Sequence, residues 1–119
     1  MAYPRTYRDE IKEADRKFST FLFELENAVL AFFTEGRAPR LGTLAVALPL
    51  KMRSAEQALS STLLGERNQT VTRILAERLV TIFNKIALVS TFTETIDETK
   101  VGRIFMNLVE RVSKKRGQK

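Results

Sequence analysis

The amino-acid sequence predicts an α+β fold: a mostly antiparallel sheet of about five strands with two helices on one face, in the order β-β-β-β-α-β-α. Three observations support this fold class. Apolar residues alternate with period two in the first half of the chain, two later stretches repeat them every three or four positions, and 119 residues suit one domain with a single core. The predicted domain covers residues 17–112, between an N-terminal arm (1–16) and a basic C-terminal tail (113–119).

The N-terminal arm lacks an apolar period and contains Pro4, which favours an extended or partly helical segment outside the sheet. It is too charged for a secretory signal peptide, and no apolar stretch in the chain approaches the roughly 20 residues needed to cross a bilayer. We therefore expect a cytoplasmic or nuclear location and no membrane association.

A β-hairpin is predicted directly after the arm. In KFSTFLFELE, Phe21 and Phe23 fall on one face of a strand and Phe18 on the other. Glu26 and Asn27 supply a tight turn, and AVLAFFTEG forms a second strand that is apolar on both faces.

Two further strands are predicted before the first helix. LGTLAVALPL places Leu44 and Val46 on one face and small alanines on the other, and Pro49 weakens pairing at its end because it has no amide hydrogen. EQALSSTLL, residues 56–64, is a half-polar fourth strand that ends at Gly65, after a loop at residues 51–54.

The remaining elements are a helix, a strand and a second helix. The first helix is predicted over residues 70–84, and KIALVSTFT follows as a buried fifth strand because it is short, β-branched and apolar on both faces. Thr95 and Glu98 have the spacing of a capping box at the start of the last helix, which runs to Val112. The core-facing stripe of the first helix consists of Val71, Ile74, Leu75, Leu79, Ile82 and Phe83.

Both faces of this sheet are predicted to be apolar, yet two helices cover only one of them. The second face should therefore pack on a partner, most simply a second copy related by a two-fold axis. An alternative is that the N-terminal arm folds back over it. The residues proposed for the dimer surface, without assignment to one face, are Phe21, Phe23, Val29, Phe33 and Val89.

The composition argues against catalysis. The chain has no histidine and no cysteine, so it lacks the commonest general base, the best protein nucleophile and the usual structural zinc ligands. It also lacks a glycine-rich phosphate loop. We therefore predict a binding or assembly protein that is not an enzyme and uses no cofactor or metal.

The net charge of +6 raises nucleic-acid binding as an alternative, but two tyrosines and no tryptophan leave little for stacking on bases. The end of the chain, RVSKKRGQK, is expected to be a solvated basic tail that offsets the negative end of a helix. Contact with nucleic acid or an acidic protein surface is the other interpretation of this tail.

Residues from Phe18 to Val112 resemble the proteasome assembly chaperone 3/4 family, and chaperone 4 in particular. The similar features are the hairpin from Phe21 to Phe33, LGTLAVALP, SSTLLG ending at Gly65, LAERL in the helix, and KIALVSTFTET running into the last helix. The resemblance implies a dimeric, non-enzymatic chaperone that transiently binds α-type subunits while the α-ring of the 20S proteasome assembles. Pairing with itself or with a paralogous chain stays open, as does a role as a small roadblock-like or profilin-like scaffold.

The loop after Gly65 is the predicted contact for α-type subunits, and it consists of Glu66, Arg67, Asn68 and Gln69. Such a loop at one end of the sheet is polar and can adapt to a partner that must later be released. The alternative is ordinary turn chemistry, with Gly65 at positive φ and Asn68 as a helix cap.

Overall fold

A computed structural model describes residues 4–52 and 59–117 and confirms the α+β class. The elements are β1 (Arg5–Glu13), β2 (Arg16–Glu24), β3 (Ala28–Glu35), β4 (Thr43–Ala47), β5 (Ser60–Leu64), α1 (Gln69–Phe83), β6 (Ile86–Phe92) and α2 (Glu98–Gly117). The strand order is β1-β2-β3-β6-β4-β5, and only the central β3–β6 pair is parallel. The first part of the predicted fourth strand and part of the loop before it, residues 53–58, lie outside the described residues.

The N-terminal arm is the largest correction, because it is a strand and not a separate segment. β1 pairs along its whole length with β2, which makes six strands in the described residues and moves the start of the domain before residue 17. Only Tyr7 and Ile11 of β1 pack against the core, so an apolar period is hard to see. At the edge of the sheet, β1 covers neither face.

Both helices pack on one face of the sheet, and the core lies between them and the strands. The ring of Phe105 from α2 packs edge-on against Phe18 of β2, with centroids 5.9 Å apart, and lies 5.3 Å from Phe33 of β3. Val29 and Val89 are fully buried on the same face. Val29, Phe33 and Val89 therefore belong to the core of one chain, and their assignment to a dimer surface was wrong.

The observed bounds of α1 agree with the predicted helix, but its core stripe is rotated towards Thr72, Ala76 and Val80. Leu75, Leu79 and Phe83 are buried as predicted, whereas Ile74 is 49% exposed. Successive helical residues are about 100° apart, and the buried residues of α1 are centred near Leu79, so Ile74, about 140° away from Leu79 around the helix, falls outside the stripe. Thr72 is buried instead.

The start of α2 is capped by Asp97 and not by a Thr95–Glu98 capping box. The Asp97 carboxylate accepts hydrogen bonds from the amides of Thr99, at 3.1 Å, and Lys100, at 3.2 Å. The Thr95 hydroxyl donates to Glu35 instead.

The basic tail is also corrected, since α2 continues to Gly117. Arg111 and Lys115 each lie 3.5 Å from the carboxylate of Asp9 in β1. Arg116 donates to Glu24 of β2 at 3.0 Å. The last turns of α2 are therefore held against the β1–β2 hairpin by ion pairs.

Candidate protein-interaction surfaces

The sheet face opposite the helices, which we call the open face, is largely apolar. The strand register places Phe21 opposite Phe32 and Leu30 opposite Leu88, and the Phe23 and Phe32 rings meet edge-to-face at 6.3 Å. Its apolar side chains, all partly exposed, are Phe21, Phe23, Leu30, Phe32, Leu44, Val46, Ile86, Leu88 and Phe92. Of the five residues predicted for a dimer surface, only Phe21 and Phe23 lie here.

Two arginines flank the apolar part of the open face. The guanidinium of Arg8 in β1 lies over the ring of Phe21, and that of Arg40 in the β3–β4 loop lies over Phe92, each 5.4 Å from the ring centroid. The sequence-based interpretation missed Arg8 because it left β1 outside the sheet. Arg8, Glu10 and Lys12 share this face, but Asp9 and Glu13 on the other face are charged too, so the spacing of charges does not mark a strand.

The predicted contact loop lies at the end of the sheet where both helices begin. Asn68 is only 1% exposed, and its Nδ2 donates to Thr93 Oγ1 at 2.8 Å. It occupies the N-cap position of α1 at φ 62° but makes no capping hydrogen bond with its side chain. Asn68 is thus a structural residue, and a partner could touch this loop only through its neighbours.

Glu66, Arg67 and Gln69 are the exposed members of the loop. Arg67 donates to the carbonyl of Thr93 at 2.8 Å, and its own carbonyl accepts from the Thr43 hydroxyl. Gly65 has φ +93°, and a Cβ there would lie 2.7 Å from the Thr43 backbone, so glycine is required at this turn. The loop is consequently fixed in shape while Glu66 points outward.

A buried carboxylate fixes the loops at the same end of the sheet. The side chain of Glu35 is 1% exposed and accepts hydrogen bonds from the amides of Glu94, at 2.9 Å, and Thr95, at 2.8 Å, and from Arg16, at 2.8 Å. Burial would raise the pKa of Glu35, but these bonds outweigh it and lower the pKa below the ordinary value. All of these contacts are structural, so Glu35 is not a candidate acid or base.

Other kinds of site find no support in the described part of the chain. No cluster of three or more Asp, Glu, His or Cys residues there could hold a metal ion. Among the helices of residues 4–52 and 59–117, none has the length and apolar character needed to span a membrane.

Comparison with known proteins identifies the family. The sequence model described as proteasome assembly chaperone 4 matches residues 18–91, from β2 into β6. This chain belongs to the proteasome assembly chaperone 4 family. The resemblance seen in the sequence is thereby confirmed, and the protein is a proteasome assembly chaperone.

The fold of this proteasome assembly chaperone is also found among solved structures. One chain of a crystal structure of a novel chaperone complex for yeast 20S proteasome assembly superposes with a TM-score of 0.65, over 92% of each chain and at 14% identity. At that identity the likeness shows the fold alone. A comparison with curated proteins finds no match.

Proposed function

We propose that this proteasome assembly chaperone works as a non-enzymatic dimer that holds α-type subunits while the α-ring of the 20S proteasome assembles, in the cytoplasm or the nucleus. Membership of the family supports the assembly role. The observation that carries the dimer is the open face, an apolar sheet surface that lies opposite α1 and α2, the two α-helices of the described residues.

The open face has the character of a sheet-packing surface. Phenylalanine and leucine side chains from four neighbouring strands form one continuous patch around Phe32 and Leu88. Two such sheets pack about 10 Å apart with interdigitating side chains. Burial contributes about 25 cal/mol per Å² of apolar surface, which favours association even though each side chain is already partly covered.

The loop end of the sheet is the surface that we assign to α-type subunits. A dimer through the open face would leave this end accessible, where Glu66, Arg67 and Gln69 are exposed. Leu41 and Ile96, which are 60% and 79% exposed, lie in loops at the same end and offer apolar contacts among the charges. A mixed polar and apolar surface of this kind suits binding that must later be reversed.

The nucleic-acid alternative loses its main support from the position of the basic residues. It rested on the net charge and the basic tail, yet three cations of that tail, Arg111, Lys115 and Arg116, each pair with a carboxylate of β1 or β2. Lys100 and Arg103, earlier in α2, are paired in the same way. Cations that are already paired within the chain release fewer counterions on binding a phosphate backbone.

Sedimentation velocity tests the dimer, with the protein alone and with any chaperone chain that co-purifies from its native cell. We expect Phe32→Asp to abolish pairing, whereas Leu41→Asp, an equally drastic change away from the open face, should leave pairing intact. Circular dichroism must show that both variants are folded.

The assembly role is tested by pull-down of purified proteasome α-type subunits, with duplex DNA as the competing ligand. The salt concentration is about 0.15 M, because charge effects are then screened within roughly 8 Å. A monomeric protein with no second chain, or one that retains DNA and not α-type subunits, would refute the proposal.

A further inference from the structure

β1 forms one edge of the sheet of the described residues, and an edge strand offers its outward backbone groups to any further strand. In an antiparallel edge strand, residues that bond to the neighbouring strand alternate with residues that turn their N–H and C=O groups outward. The carbonyls of Arg8 and Glu10 both accept hydrogen bonds from side chains of α2. The even-numbered residues of β1 are therefore the outward ones.

Three side chains occupy the middle of this edge, and we call Asp9, Arg111 and Lys115 the edge clasp. Arg111 Nη1 donates to the carbonyl of Glu10 at 3.3 Å, and Lys115 Nζ donates to the carbonyl of Arg8. The Asp9 carboxylate accepts from the amide of Glu10 at 2.8 Å and lies 3.5 Å from each of the two cations. The clasp thus bonds to the backbone groups that a further strand would use.

The sequence of β1 is complementary to itself in the antiparallel direction. A two-fold axis at Asp9 would place Arg8 opposite Glu10 of a second copy and Tyr7 opposite its Ile11. Opposite charges directly across a strand pair stabilise it, and so do pairs of an aromatic and a β-branched residue. The backbone alternation agrees, because Arg8 and Glu10 are both outward residues and could exchange hydrogen bonds. An uncovered β1 edge would therefore fit the β1 edge of a second copy.

We propose that the edge clasp closes β1 to a second copy of this chain, and that opening the clasp lets two copies join edge to edge into one continuous sheet. Because the two-fold axis uses the β1 edge of both copies, the product is a closed dimer and not a filament. The closed clasp removes this edge from the surfaces available for association. The inference stands on the contacts between β1 and α2 and does not depend on the assembly role proposed above.

Charge at the two-fold axis opposes pairing in addition to the hydrogen bonds of the clasp. Tyr7 and Ile11 pack towards the core, so Asp9 between them lies on the helix side of β1. An axis at Asp9 would bring Arg111 and Lys115 of both copies together on that side. These cations outnumber the Asp9 carboxylates, and replacing the cations alone would leave the two carboxylates facing each other. All three clasp residues must therefore be replaced to open the edge.

Sedimentation velocity of a variant with an open clasp tests the inference. Asp9→Thr, Arg111→Ala and Lys115→Ala are combined in a Phe32→Asp parent, so that pairing through the open face does not contribute. Threonine is chosen at position 9 because it suits a strand. We expect the mean mass of this open-clasp variant to shift from that of the parent, one chain, towards that of two chains.

The matched control replaces exposed residues outside the clasp and changes the net charge by the same amount. It carries Glu26→Thr, Arg37→Ala and Lys114→Ala in the same Phe32→Asp parent. We expect the control to sediment as the parent does, because the edge clasp is intact.

Two further substitutions in the open-clasp variant test the strand register. Glu10→Arg places arginines opposite each other at positions 8 and 10 and should return the mass to that of the parent. Adding Arg8→Glu restores opposite charges there and should restore the dimer. Association caused by a general loss of packing would not respond in this way. The inference is refuted if the open-clasp variant sediments as the parent does, or if its association persists in Glu10→Arg.

Discussion

Glu24 ties the C-terminal turn of α2 to the hairpin, and its replacement offers a quantitative test of the fold. Its side chain is 8% exposed and accepts hydrogen bonds from Arg116, at 3.0 Å, and Lys85, at 2.8 Å. Arg116 also lies 4.5 Å above the ring of Phe83. Burial alone would raise the pKa of Glu24, but the bonds from Arg116 and Lys85 outweigh it and lower the pKa to about 2.

We expect Glu24→Gln to lower the free energy of unfolding at pH 7 by up to roughly 3 kcal/mol, the equivalent of a pKa lowered from 4.5 to about 2. The true loss will be smaller to the extent that water screens Arg116, whose side chain is 35% exposed. Because the pKa is lowered in the folded state, this stabilisation is complete above about pH 4.5 and is lost as the pH falls towards 2. The difference between wild type and variant should shrink over that window.

Urea unfolding at pH 7, 4 and 3 measures this difference, with Glu26→Gln in the exposed β2–β3 turn as the control. The control should change the free energy of unfolding by less than about 0.5 kcal/mol at every pH. A Glu24→Gln loss equally small at pH 7, or one that does not change on acidification, would refute the ion-pair network. The basic end of α2 would then be free for an anionic partner.

Two other outcomes follow from particular residues. Ala14→Gly should stabilise the protein by about 0.5–1 kcal/mol in thermal unfolding, because Ala14 has φ 52° in the β1–β2 turn, whereas Ala38→Gly in the β3–β4 loop should not stabilise it. Glu66→Lys should weaken binding of α-type subunits several-fold without altering the free energy of unfolding. The control, Glu77→Gln on α1, should leave that binding unchanged. If Glu66→Lys binds α-type subunits as the wild type does, Glu66 is not part of the contact surface.

The sequence predicted well those elements in which the pattern of apolar residues follows directly from burial. β3 and β6 are apolar on both faces because they pair at the centre of the sheet, and α1 shows a helical period because it packs on one side. In such elements burial alone explains the residue pattern, so a local stretch of sequence is enough.

β1 and the end of α2 could not be predicted in this way because their stabilising contacts are distant in sequence. Asp9 and Glu13 look like solvated acids until Arg111 and Arg103 are placed beside them. The apolar residues of β3 likewise showed that both faces of this strand are apolar, but they did not show which face the helices cover. That choice depends on contacts such as the one between Phe33 and Phe105.

The open face combines two parts of the chain that differ in their relation to the family. Most of its apolar patch lies within residues 18–91, which match the family, whereas Arg8 and Lys12 belong to β1, outside that match. Only Tyr7 and Ile11 of β1 pack inward, so the open-face charges of this strand can change without disturbing the core. Pairing and stability should therefore be separable. Arg8→Glu should alter pairing while the free energy of unfolding stays within about 0.5 kcal/mol of the wild type.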